Sequence, residues 1–216
     1  MNTPLVIAVD GPAASGKGTI AARLAATYGL PHLDTGLLYR AVGLAVLKAG
    51  GDLSDEAVAG RMALALDPAS LADDSELTSG RAGEAASRVA SYPGVRAALL
   101  DLQQAFARQS GGAVLDGRDI GTVIAPDATA KLFITASPET RALRRWKQLT
   151  ARGDDIQYDA MLADILRRDE RDAGRGDAPM IQAKDADLLD TTDMGIEAAF
   201  DAARRIVEAA RARRGQ

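Results

Sequence analysis

The sequence predicts an α/β protein built on a parallel sheet. Three observations predict it. Short apolar segments alternate with helical stretches, four of those segments end in Asp, and the first runs through a glycine-rich turn directly into a helix. Five segments read as strands: residues 5–10, 32–34, 113–116, 131–135 and 187–190. Their terminal Asp10, Asp34, Asp116 and Asp190 place carboxylates at the carboxyl edge of the sheet, where open α/β sheets bind ligands.

The helices follow from capping signals and apolar spacing. A helical pattern runs over residues 20–28. Thr35 is placed to cap a helix reaching Lys48, with Leu38, Val42 and Val46 on one face and Gly50-Gly51 ending it. Ser54 is placed to cap the next, over residues 55–66. Residues 83–110 are helical in pattern but broken at Pro93. Ser137-Pro138-Glu139 supplies a cap, a first-turn proline and an acid for a helix to about Arg152. Residues 158–172 and 195–214 complete the set. Residues 67–82 are polar, turn-prone and weakly patterned, as expected of a linker or insert.

Composition narrows the functional classes. A chain of 216 residues with 47% hydrophobic residues has material for one domain, or one with a small insert. A net charge of −4 gives no overall reason to bind nucleic acid. The absence of Cys excludes disulfides and thiolate metal sites. No apolar run approaches the ~18 residues of a membrane span, so the chain is expected to be soluble and cytoplasmic. Only five of the 26 basic residues are Lys; Arg is the side chain that grips phosphate or carboxylate in two places.

Residues 5–19, LVIAVDGPAASGKGT, carry the strongest chemical signal. A strand feeding a tight turn and then a helix start makes a phosphate cradle of backbone N–H groups. Gly11, Pro12, Ala13, Ala14, Ser15, Gly16, Lys17, Gly18 and Thr19 are the candidate nucleoside triphosphate site, with Lys17 reaching the β- and γ-phosphates. The general motif asks for a hydroxyl directly after Lys, but Gly18 stands there and the hydroxyl comes at Thr19. A metal is therefore expected to be held through phosphates and water, with Thr19 the candidate protein ligand.

Three further constellations accompany it. Asp34-Thr35-Gly36-Leu37-Leu38-Tyr39-Arg40 is a second anion-ready helix start, with Arg40 on its first turns. Asp116-Gly117-Arg118-Asp119-Ile120-Gly121 follows an apolar strand; Arg118 can grip a phosphate and Asp119 can accept from an exocyclic amine. Residues 167–175 are charged all round, and Arg168, Asp172 and Arg175 share a face if the helix persists. With Arg141, Arg144, Arg145 and Arg152 they form a candidate flap of arginines that closes on polyphosphate. The alternative is a solvated face laced with i,i+4 ion pairs. The single His32 is expected to be structural.

In the order GPAASGKGT, LDTGLLYR, AASRVASYPGVRAALL, LDGRDIGTVIAPDA and RRDERDAGRGDAP, the chain resembles the bacterial cytidylate kinases over nearly its whole length. The resemblance implies the nucleoside monophosphate kinase fold, a five-stranded parallel sheet with helices on both faces and a helical lid. It implies transfer of the ATP γ-phosphate to CMP or dCMP, with Mg²⁺. Lys17, Arg118 and Arg175 would be catalytic. Arg40 and Arg118 would bind the acceptor phosphate; Ser87, Arg96 and Asp119 would read cytosine. Thr35, Tyr39, Arg168 and Asp172 would line the sugar, and Arg175 would reach the phosphates. Residues 1–216 would be one kinase domain, 67–85 a short substrate-side insert and 141–177 the lid, in a monomer. Thr35 replaces a serine of the family pattern and Gly174 an asparagine, and the insert is shorter than in longer members.

Other functions leave signatures to compare. A P-loop GTPase switch usually selects guanine with Asn-Lys-x-Asp, and the only Asn is Asn2. A mechanical P-loop ATPase would show an apolar strand ending in Asp-Glu, and none is present. A kinase acting on UMP, AMP or a small alcohol stays open; an alcohol would want a carboxylate base, for which Asp34 is available.

Overall fold

The computed structural model describes residues 4–71 and 75–215. Five strands form one parallel sheet: β1 (Val6–Asp10), β2 (His32–Asp34), β3 (Ala113–Gly117), β4 (Ala130–Thr135) and β5 (Asp187–Asp190), in the order β2-β3-β1-β4-β5. The helices are α1 (Lys17–Tyr28), α2 (Thr35–Lys48), α3 (Glu56–Leu64), α4 (Gly80–Val89), α5 (Pro93–Ala107), α6 (Pro138–Thr150), α7 (Tyr158–Ala173) and α8 (Ile196–Arg213). The chain forms two compact units, one of residues 34–105 and the other of the remainder.

The sheet unit is buried on both faces, as a parallel sheet requires. Ile7, Val9, Val114, Leu132 and Ile134 pack against Ile20 and Leu24 of α1 and Ala203 and Val207 of α8. Ala8 and Leu115, paired in register, point to the opposite face and are also fully buried. Each such Leu or Ile contributes about 1.5–3 kcal/mol of burial. Elsewhere in this unit α6 and α7 pack as a pair through Ala142, Leu149, Met161 and Ile165. Trp146 meets Tyr158 edge to face at 6.4 Å and donates its indole N–H to the Ile156 carbonyl at 2.8 Å.

The smaller unit is helical. Leu38, Val42 and Val46 of α2 meet Ala59, Ala86, Val89, Val95 and Leu99. A Cβ at Gly43 would lie 2.7 Å from the Ala85 Cβ, so only glycine permits this approach of α2 to α4. Among the described residues, the insert holds two short 3₁₀ turns, Pro68–Leu71 and Ser75–Thr78, before α4. Residues 72–74 of the expected insert lie outside the described residues.

Two expected caps move by one residue. Asp34, not Thr35, caps α2 by accepting from the Gly36 N–H at 2.9 Å. Asp55, not Ser54, caps α3 by accepting from the Val58 N–H at 3.0 Å. In both cases the carboxylate sits on the extended residue just before the helix, where a side chain can reach back to the free N–H groups.

Candidate active site

The site in the sheet unit begins at the carboxyl end of the central strand, β1. Gly11 has φ +145°, and a Cβ there would sit 2.0 Å from the Ile134 carbonyl oxygen, so the chain can leave the sheet here only as glycine. Gly16, in the left-handed region, starts α1 with no side chain capping it. The first N–H groups of α1 are thus free of side-chain caps, and the positive end of the helix faces the loop. The Ser15 hydroxyl is buried without a hydrogen-bond partner. Lys17 is buried and donates to the Pro12 carbonyl at 3.3 Å. Together these features describe a cradle for an anion with several oxygens.

The outer carbonyls of this loop are held from behind. Arg141, 3% exposed, donates to the Ala136 carbonyl at 2.8 Å and the Ala13 carbonyl at 3.3 Å, and grips Asp169 of α7 in bidentate fashion at 2.9 and 2.5 Å. Arg144 donates to the Thr191 carbonyl at 2.6 Å and the Thr191 hydroxyl at 3.0 Å, and that hydroxyl donates to the Ser15 carbonyl at 3.2 Å. This corrects the expectation that Arg141 and Arg144 belong to a closing flap. Their guanidiniums are occupied by fixed carbonyls and a carboxylate, and they brace the phosphate loop and α7.

A second cluster stands at the end of β3. Asp116 is 2% exposed; one of its oxygens meets His32 Nε2 at 2.7 Å, and the other faces Gly18, where a Cβ would be 3.6 Å away. His32 therefore has a structural contact, as expected, but with a carboxylate that reaches the first turn of α1. The sequence places Asp116 at the sheet edge without marking a role for it. Its signal was an apolar strand ending in Asp beside the phosphate-loop strand.

Arg118 and Asp119 follow at once. Arg118 donates through Nε to Asp172 at 2.8 Å, and Arg175 donates to the other oxygen of the same carboxylate. Burial alone would raise the Asp172 carboxyl, but Arg118 and Arg175, with Arg168 behind them, hold it below the ordinary carboxylate value. The structure thus gathers Arg118, Asp172 and Arg175 from residues 54 and 3 positions apart. Arg168 lies 3.8 Å from Asp164, one turn earlier. Helix α7 ends at Ala173, so Arg175 reaches Asp172 from the loop after the helix rather than from a continued helical face. Asp119 is buried, and the chain after it makes one wide turn, Ile120–Ile124, with i→i+5 bonds such as the Ala125 N–H to the Ile120 carbonyl at 2.7 Å.

The smaller unit holds the other expected residues. Thr35 and Tyr39 are buried on α2, Ser87 on α4 and Arg96 on α5. The Ser87 hydroxyl has no hydrogen-bond partner. The Arg96 guanidinium lies 5.9 Å from the Tyr39 ring centroid. Arg40, half-buried, donates to the Leu77 carbonyl at 2.8 Å. A buried unpaired hydroxyl is costly in a core and suits a polar ligand. Asp34 is engaged as the cap of α2, which weakens its candidacy as a base for an alcohol acceptor.

No group of three or more His, Asp or Glu among the described residues could hold a metal. The uncapped α1 start, with Thr19 on its exposed side and Asp116 behind Gly18, suits a cation that arrives with its own phosphate ligands. No described helix is long and apolar enough to cross a membrane.

Comparison with known proteins adds an independent finding. A family model described as cytidylate kinase matches residues 7–210. The chain is 67% identical to a cytidylate kinase of Caulobacter vibrioides over 208 residues, 96% of this chain and 97% of that one. It is 64% identical to one of Xanthobacter autotrophicus over 210 residues, covering 97% and 100%, and 55% identical to one of Brucella suis over 205 residues, covering 95% and 93%. Among solved structures, an uncharacterized protein from Eubacterium ventriosum shares the fold with a TM-score of 0.57 at 15% identity, covering 96% of this chain and 99% of that one. A sugar kinase from Janibacter shares it at 0.51 and 14%, covering 95% of each.

Proposed function

The chain belongs to the cytidylate kinase family, and from that premise we propose that it transfers the γ-phosphate of ATP to CMP or dCMP, releasing ADP and the nucleoside diphosphate. The observation that carries this reading is the extent of the match. Residues 7–210 span the phosphate loop and every acceptor-side candidate from Thr35 to Arg175.

The division of labour follows from the chemistry. The backbone N–H groups of residues 11–19 and the Lys17 ammonium bind the β- and γ-phosphates. Thr19 and Asp116 are the side chains that would hold the water shell of a Mg²⁺ ion bound to ATP, which would supply neutralisation of phosphate charge. The acceptor is a phosphate monoester, largely dianionic near neutral pH with its second pKa at ~6, so its oxygen attacks without a general base. Arg40 and Arg118 hold that phosphate. Ser87, Arg96 and Asp119 read cytosine, which offers an N4 donor and N3 and O2 acceptors. Thr35, Tyr39, Arg168 and Asp172 line the sugar. Arg118 and Arg175, now paired with Asp172, turn to the transferring phosphoryl group and stabilise its charge.

Residues 1–216 act as one kinase domain, with 67–85 a substrate-side insert and a lid within 141–177, carried on the fixed Arg141 and Arg144, that excludes water. The enzyme works as a cytoplasmic monomer. A coupled ADP-release assay with ATP and Mg²⁺ across CMP, dCMP, UMP, AMP and shikimate tests the reading. CMP and dCMP are expected to be fastest; equal rates on AMP or shikimate would overturn it.

A further inference from the structure

We propose that Asp10 is a positioning residue for acceptor selection: its carboxylate ties the turn that carries Asp119 to the strand that launches the phosphate loop. The inference rests on the reading of Asp119 as a cytosine-facing group. Asp10 is the last residue of β1, immediately before Gly11. Its two oxygens accept from the Ile120 N–H and the Gly121 N–H, each at 2.7 Å.

The first of these bonds matters most, because it holds the peptide that leaves Asp119. The carbonyl of that peptide accepts from the Val123 N–H at 2.9 Å and the Ile124 N–H at 3.3 Å, and its N–H donates to Asp10. Both ends of the peptide dipole are fixed, so the direction in which the Asp119 side chain leaves the backbone is fixed as well. The next residue is seated as tightly. A Cβ at Gly121 would stand 3.2 Å from Lys131 Cδ and 3.3 Å from Asp10 Oδ2. The turn rests between a carboxylate on β1 and a lysine stem on β4.

A carboxylate is a costly device for this purpose. Burial pushes Asp10 up to about 6; the N–H bonds from Gly121 and Ile120 and the nearby Lys17 lower it, and Asp119 raises it. An amide of the same shape offers a single acceptor, and its NH₂ would face one of the two backbone N–H groups. What the carboxylate alone provides is two matched acceptors on one rigid plane, linking the donor-phosphate loop to the acceptor-base turn across 110 residues of sequence.

The test compares wild type, Asp10→Asn, Asp119→Ala and the double variant, each assayed with ATP on CMP and UMP, with ATP-analogue binding measured by calorimetry. Asp10→Asn is expected to lower kcat/KM for CMP by about 10–100-fold and the CMP:UMP ratio by about tenfold, with ATP-analogue affinity within about threefold of wild type. In the Asp119→Ala background the same change is expected to leave the CMP:UMP ratio where it was. Gly121→Ala keeps the carboxylate but pushes on the same seat, and is expected to lower the ratio in the same direction. An unchanged CMP:UMP ratio in folded Asp10→Asn or Gly121→Ala, or an additive loss in the double variant, would overturn the role of Asp10. Failure of the wild type to phosphorylate CMP would instead overturn the kinase reading.

Discussion

Replacing Asp172 by Asn separates phosphate-binding arginines from merely structural ones. Asp172 sits between Arg118 and Arg175, with side-chain exposures of 4% for the carboxylate and 20% and 5% for its partners. Asn keeps one acceptor and turns an NH₂ toward the other guanidinium, so the negative charge shared by the two cations is lost and one of them faces a donor. Breaking a buried pair in this way costs about 3–5 kcal/mol, and the surviving hydrogen bond places this variant near 3. For a chain of this size that corresponds to a Tm lowered by about 6–12 °C. If Arg118 and Arg175 also meet phosphate, substrates supply the missing negative charge. A thermal-shift assay with a non-hydrolysable ATP analogue plus CMP should then show a larger ligand-induced rise in Tm for Asp172→Asn than for wild type. An equal rise in both proteins, or no loss of Tm in the first place, would refute this account of the cluster.

Removing the Lys17 ammonium in Lys17→Ala should lower transfer to every acceptor by at least about 10²-fold with little change in Tm, as read by ADP release; retained activity on any acceptor would place the phosphates elsewhere. Asp119→Ala should lower the CMP:UMP ratio of kcat/KM by about 10-fold or more, the effect of losing a base-directed hydrogen bond; an unchanged ratio would remove the base-reading role. The Asp10 carboxyl titrates near 6 in the folded chain against 3.8 for the free group. Between about pH 4 and 6 the folded state therefore binds the extra proton, and the stability owed to this group falls as pH rises, by up to about 3 kcal/mol. Urea unfolding from pH 4 to 7 should show this slope in wild type and not in Asp10→Asn, and parallel profiles would contradict it.

Much of the architecture was legible because parallel strands buried on both faces read as continuous apolar runs. Residues 5–10 and 113–116 announce themselves in that way, and the glycine-rich turn between β1 and α1 needs no tertiary information. The cap positions were less legible. At Asp34-Thr35 two adjacent side chains can each cap a helix, and backbone geometry chooses the one that remains extended. The arginines were hardest. Arg141 and Arg175 look alike in sequence, yet one is held by Asp169, 28 residues away, and the other by Asp172, three residues away. The role of Asp10 was likewise invisible, because its partners lie 110 and 111 residues downstream. Asp119 itself could be singled out from its motif, but not the carboxylate that holds its turn.

In the proposed reaction the phosphoryl group leaves ATP for a cytidine monophosphate rather than for water. Isotope-labelled ATP, with the label in the γ-phosphoryl group, tests it most directly when incubated with the enzyme, Mg²⁺ and CMP and the products are separated. Label is expected in CDP, one for each ADP formed, with ADP formation that depends on CMP. Label appearing as inorganic phosphate at the same rate with or without CMP would contradict it.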